Sequence, residues 1–104
     1  MSKILTDVIS KSSGNTWAMQ HGHPVPGLVP TAAANRDYAP GFMTDLMAKD
    51  LGLAVNAARE LRVPVVVAPA AQQVLRLASS HGYGRKDFSS VYAFLKPSSE
   101  TAPV

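Results

Sequence analysis

The chain has 104 residues, 46% hydrophobic and 16% charged, with a formal charge of +3 and no cysteine, which describes one soluble globular domain and excludes disulfides and thiolate metal sites. Its basic residues are scattered, with Arg85-Lys86 the one adjacent pair, so a nucleic-acid surface is not expected; nor does any run approach the roughly 18 apolar residues of a membrane span. The first residues lack the apolar stretch of a secretory signal, and the expected setting is the cytoplasm or an organelle matrix.

In chain order, residues 3–19 read as mainly helical, with Ile4, Leu5, Val8 and Ile9 as the apolar side and a break near Ser13-Gly14. Residues 21–41 carry Pro24, Pro26, Pro30 and Pro40, too many for a helix, and form a stiff irregular excursion laid against the core. A strong helix is predicted over 43–61, ending before Pro64. The β-branched run 63–67 has no partner strand and is expected to be an extended, buried connector. Pro69 suits the first turn of a further helix, with Ala71, Val74, Leu75 and Ala78 inward and an end at His81-Gly82. Asp87 is placed to cap a last helix with Phe88, Val91, Tyr92 and Leu95 inward. A frayed tail over 97–104 completes an all-α architecture of four to five helices.

Asp50 is the residue most in need of explanation. At about 100° per residue, Met43, Leu46, Met47, Ala54, Ala57, Ala58 and Leu61 fill one arc of the central helix, and Asp50 falls near its centre. A buried carboxylate needs a partner or a task, because leaving it unpaired costs several kcal/mol. Its neighbour Lys49 points about 100° away and does not stack with it along the helix. The polar face holds Lys49 with Asp45, Gly52 and Asn56, and the bland reading of Lys49 is a solvated partner of Asp45. Thr44-Asp45 is read as the helix cap. Gly52 costs about 0.5–1 kcal/mol inside a helix, so its face is kept bare for a neighbouring backbone or a ligand. His21 and His23 lack a third metal ligand and read as a surface loop. Trp17 reads as core, with pocket lining the minority alternative. The sequence holds no Gly-rich phosphate loop, nucleophile elbow or metal cluster.

Residues 42–54, with Lys49-Asp50-Leu51-Gly52 at their centre, resemble the Lys-Asp-Leu-Gly cofactor signature of the β-hydroxyacid dehydrogenases. The stretches 12–17 (Ser-Ser-Gly-Asn-Thr-Trp), 24–27 (Pro-Val-Pro-Gly), 46–54 and 82–91 resemble the 3-hydroxyisobutyrate dehydrogenases in order and spacing. The resemblance runs from about Ile4 to Leu95. It implies the C-terminal helical domain of that family, similar to the corresponding domain of the 6-phosphogluconate dehydrogenase-like superfamily. Residues 1–96 would then form a cofactor/substrate-cleft and oligomerisation domain. The family's N-terminal Rossmann domain with its Gly-rich fingerprint, its substrate loop and its catalytic lysine do not appear in these residues, so no catalytic residue and no metal ligand is expected here.

Carried over by position, the resemblance puts Lys49 on the cofactor side and makes Trp17, Phe42 and Asp50 candidates for the substrate-side wall. The implied activity is oxidation of 3-hydroxyisobutyrate to methylmalonate semialdehyde with NAD, as in valine breakdown, with NADP left open and this chain inactive alone. The implied partners are the hydroxy acid, the dinucleotide and further copies of the chain. The implied compartment is the bacterial cytoplasm or the mitochondrial matrix. The alternatives are a sister reductase of tartronate or succinate semialdehyde, and a non-catalytic helical interaction module.

Overall fold

The computed structural model describes residues 1–39 and 41–97; of the tail expected over 97–104, residues 98–104 lie outside the described residues. Five α-helices follow in order: α1 (Ser2–Ser10), α2 (Trp17–His21), α3 (Thr44–Glu60), α4 (Val67–Ala78) and α5 (Val91–Leu95). Short 3-10 turns stand at Ala33–Arg36 and Phe88–Ser90, and a π-type turn over Ser79–Tyr83 follows α4. Among the described residues there is no sheet, only an isolated antiparallel bridge between Met43 and Asp87. The all-α expectation is met.

The first predicted helix is two helices. The chain breaks after Ser10, and Thr16 restarts it by accepting the Met19 amide on its side-chain oxygen at 3.0 Å, as a threonine cap does. The proline excursion then builds much of the core. Asn35 gathers it, accepting from the Gly27 amide at 2.7 Å and donating to the Val29 carbonyl at 2.7 Å. Tyr38, buried at 6% exposure, donates its hydroxyl to the Pro24 carbonyl at 2.8 Å. Ala32, Ala33 and Ala34 are buried beside it.

The long helices α3 and α4 pack along each other, and here the wheel expectation fails. The inward side of α3 is the buried Thr44 and Ala48, followed by the half-buried Leu51, Gly52, Val55 and Ala58. The arc centred on Asp50 lies on the other side: Asp50, Ala54 and Ala57 are exposed, as are Leu46 at 38%, Leu53 at 60% and Leu61 at 75%. The helix has two apolar faces. The one with smaller side chains faces α4, because small residues let two helix backbones approach closely. Gly52 shows this directly: a Cβ there would fall 2.8 Å from Gln72 Nε2, and Gln72 donates to the Ala48 carbonyl at 3.2 Å. The bare face of Gly52 therefore admits a side chain from α4.

Three further expectations are corrected. The 63–67 run is exposed, with Val66 at 81% and Val67 at 79%, because it rounds the outside of the α3–α4 hairpin. Arg62 turns left-handed there, at φ 58°, and the Val63 amide returns to the Ala58 carbonyl at 2.8 Å, closing α3 in a Schellman-type stop. Ala71 faces solvent, while Leu75 and Ala78 are buried as expected. Leu95 is 62% exposed, since α5 extends past the turn it packs on.

Asp87 caps as expected, accepting the Ser89 amide at 3.0 Å on Oδ2. Its second oxygen, Oδ1, accepts the Phe42 amide at 2.8 Å from across the fold. Its own amide donates to the Tyr38 carbonyl at 2.7 Å. Hydrogen bonds to an ionised carboxylate are stronger than neutral ones, and this carboxylate is buried at 7% exposure. Asp87→Ala is expected to destabilise the chain by about 2–3 kcal/mol, because it strands buried amides. A urea midpoint shift worth less than about 0.5 kcal/mol would contradict that.

Burial pushes the Tyr38 hydroxyl above its ordinary pKa, with smaller contributions from Tyr92, Asp37 and Tyr83. The folded state thus keeps a proton that the unfolded chain releases near pH 10. The resulting stabilisation is present below pH 10 and is lost as pH rises through the folded value. Thermal melts are expected to fall as the pH climbs past 10. Tyr38→Phe should flatten that fall while costing about 1 kcal/mol at neutral pH for the lost bond to Pro24; an unchanged alkaline slope would refute the assignment.

Candidate functional site

The beginning of α3 is held from outside the helix. The buried Thr44 hydroxyl donates to the Lys86 carbonyl at 3.1 Å, so Thr44 does not cap α3, whose N-cap Met43 has no side-chain bond. The Asp45 carboxylate accepts a short bond from the Ser79 hydroxyl, and its amide donates to the Gly84 carbonyl at 3.0 Å. A Cβ on Gly84 would lie 2.7 Å from both Asp45 oxygens. Asp45 is thereby committed to the turn after α4.

Lys49 is instead ion-paired with Asp50, Nζ to Oδ1 at 2.7 Å, with side chains 58% and 48% exposed. Two expectations are corrected here. Asp50 is not buried, and Lys49 is its partner, because the flexible lysine stem folds back across the helix although the two Cβ positions point apart. The pair breaks into the exposed apolar stripe of Leu46, Leu53, Ala54, Ala57 and Leu61.

On its other side Lys49 opens onto a cleft of about 550 Å³ between α3 and the end of α4, shared with Asp45, Gln72, Arg76, Ser79 and Ser80. Lys49, Arg76 and the Gln72 amide around this cleft suit the phosphate and ribose oxygens of a dinucleotide, while the Ser79 and Ser80 hydroxyls already donate to Asp45 and to the Leu77 carbonyl. Sequence reasoning singled out Lys49 and did not reach Gln72 or Arg76, which the structure brings to the same cleft. The cost of Gly52 inside a helix was the available signal for Gln72.

Phe42 stands immediately before α3, 41% exposed, its ring 6.2 Å from that of Phe88 at an interplanar angle of 82°. Lys49 and Asp50 both belong to α3, whereas Phe42 precedes its first residue, Thr44, by two positions, so the structure sets Phe42 ahead of the helix and not on it. Trp17 belongs to α2. It is 71% exposed and stacked on His21 at 4.8 Å, which corrects the core reading and leaves a bare indole. The histidines are engaged separately: His21 contacts the Trp17 carbonyl at 3.1 Å, while His23 lies between the Thr6 hydroxyl and the Val25 amide, both at 3.2 Å. Among the described residues no group of three His, Cys, Asp or Glu is placed to hold a metal. A second cleft, about 420 Å³ and mostly apolar, is lined by Met19, His23, Pro24, Phe88 and Val91 among others.

The family described as "NAD-binding of NADP-dependent 3-hydroxyisobutyrate dehydrogenase" matches residues 2–95. Among similar proteins, the mitochondrial 3-hydroxyisobutyrate dehydrogenase of Rattus norvegicus is 40% identical over 94 residues, covering 90% of this chain and 28% of that protein. An NAD-dependent L-serine dehydrogenase of Pseudomonas aeruginosa is 41% identical over 95 residues, covering 91% and 32%. The solved structure of Mycobacterium tuberculosis 3-hydroxyisobutyrate dehydrogenase with L-serine superimposes with a TM-score of 0.85 at 39% identity, covering 93% of this chain and 33% of that one. The chain thus spans about a third or less of the length of these relatives. With the match running from α1 through α5, the chain belongs to the NAD-binding domain family of the 3-hydroxyisobutyrate dehydrogenases.

Proposed function

We propose that this chain is the C-terminal helical domain of an NAD-dependent dehydrogenase that oxidises 3-hydroxyisobutyrate to methylmalonate semialdehyde. The observation that carries this reading is the exposed Lys49–Asp50 pair, which stands between a donor-lined cleft and an apolar stripe within a chain matched to this family over residues 2–95. Lys49, with Gln72 and Arg76, would hold the dinucleotide through phosphate or ribose oxygens. When bound, that cofactor supplies the hydride chemistry. Phe42 and Trp17 present bare aromatic surface that would exclude water from the small hydroxy acid, and Asp50 would orient its polar groups. The acid/base lysine would come from a segment outside these residues.

The apolar stripe supports the same reading. Among the described residues, the buried hydrophobic set is five alanines, Tyr38 and Leu75, while α1 buries nothing and leaves Ile4, Leu5 and Val8 more than half exposed. Apolar surface on this scale marks a domain built to pack on something else, here the remainder of the enzyme and further copies of the chain. One relative is named mitochondrial and another is bacterial, which fits a mitochondrial or bacterial setting. Among the described residues no helix is long and apolar enough to cross a membrane.

A second reading has specific support. L-serine, named for both the Pseudomonas aeruginosa relative and the Mycobacterium tuberculosis structure, is also a 3-hydroxy acid, with an ammonium where 3-hydroxyisobutyrate has a methyl. The deciding assay compares the two substrates, with NAD and with NADP, in the protein encoded by the complete reading frame around this chain. Higher kcat/KM for 3-hydroxyisobutyrate is expected there, and no turnover from the purified 104-residue chain. Absence of hydroxy-acid oxidation in the longer protein, or activity in the chain alone, would defeat the proposal.

The roles of Lys49 and Asp50 separate from stability because both are exposed. Lys49→Ala is expected to lower kcat/KM at least tenfold, on the order of 1.4 kcal/mol of transition-state binding. Both Lys49→Ala and Asp50→Ala should leave unfolding free energy within about 0.5 kcal/mol, since an exposed pair contributes little. Wild-type kinetics in Lys49→Ala would return that residue to a surface role.

A further inference from the structure

Phe42 lies outside any helix, yet both of its backbone polar groups are held from a segment 45 residues away. Its amide donates to Asp87 Oδ1 at 2.8 Å, and its carbonyl accepts from the Phe88 amide at 2.8 Å. The Phe88 ring meets its ring nearly perpendicularly, at 82°. The clamp is itself anchored: the Asp87 amide donates to the Tyr38 carbonyl at 2.7 Å, and Oδ2 takes the Ser89 amide at 3.0 Å together with the Ser89 hydroxyl. At Gly41, a side chain would overlap the Asp87 carboxylate, so this approach depends on glycine. A surface phenylalanine needs no such restraint, yet this one keeps 41% of its area bare.

We infer that Asp87 and Phe88 are positioning residues that set how the Phe42 ring faces the C2 substituent of the hydroxy acid. The inference rests on the reading of Phe42 as substrate wall, and neither positioning residue touches substrate. Asp87 fixes the main chain of Phe42, and Phe88 fixes the orientation of its ring. Held with its edge toward that substituent, the ring favours the methyl of 3-hydroxyisobutyrate over the ammonium of L-serine, because the ring edge is electropositive and only the face attracts a cation. Once loosened, it loses that preference before it loses the reaction.

The test is the ratio of kcat/KM for 3-hydroxyisobutyrate to that for L-serine in the full dehydrogenase, with the L-serine inhibition constant replacing turnover where turnover is absent. A change in folded fraction cancels from a ratio of turnovers, so a merely structural role leaves that ratio unmoved. Phe88→Leu is expected to lower it roughly three- to tenfold, the value of one aromatic edge contact. Phe42→Leu should lower it at least as much, and the double variant no further than Phe42→Leu alone. Asp87→Ala should move the ratio in the same direction. Asp87→Asn, which keeps an oxygen for the Phe42 amide, should restore most of it. A wild-type ratio in both Phe88→Leu and Asp87→Ala, with Phe42→Leu still lowering it, overturns the positioning role and leaves the wall intact. An unchanged ratio in Phe42→Leu removes the wall reading and the inference together.

Discussion

The buried carboxylate of Asp87 ties the beginning of α3 to the segment that leads into α5. One oxygen accepts the Phe42 amide and the other the Ser89 amide, while its main chain bonds Tyr38 and bridges Met43. Four parts of the fold therefore converge on one residue: the proline excursion through Tyr38, the entry to α3, the 3-10 turn and, through Ser90, the first turn of α5. A carboxylate suits this position because it offers several acceptor sites and its bonds are charge-assisted. Elsewhere the core supplies little dispersion or hydrophobic stabilisation, since its buried members are mostly alanines. Polar stapling has unusual weight in such a domain.

The same economy of side-chain volume explains the geometry of α3. Its small face lies on α4, with Ala48 and Gly52 admitting Gln72. Its larger apolar side chains are left outward around Lys49 and Asp50. A helix arranged this way can pack tightly on its own domain and still present an apolar, charge-bearing surface to a second body. That surface sits beside the cleft reached by Lys49, Gln72 and Arg76, so packing and ligand binding would share one helix.

Much of this organisation was legible in the sequence. The all-α architecture, with five helices and no sheet among the described residues, the break near Gly14, the extent of α3, Pro69 in the first turn of α4 and the capping role of Asp87 all follow from local chemistry: prolines, caps and helical spacing. The orientation of α3 was not legible. A wheel weights apolar bulk, and α3 carries more of it on the side turned away from α4. Asp50 consequently read as buried when it is paired in solvent, and Trp17 read as core when it lies on His21.

The sequence by itself determined where helices begin and end, and through the Lys49-Asp50-Leu51-Gly52 run it pointed to the family, because these are properties of neighbouring residues. Only the tertiary structure decided which face of α3 is inside. Only it paired Lys49 with Asp50 in place of Asp45, brought Gln72 and Arg76 to the same cleft, and set Asp87 and Phe88 on Phe42. Those outcomes depend on contacts between residues 24 to 45 positions apart or on the competition for them, and no local pattern encodes which of two apolar faces a neighbouring helix will cover.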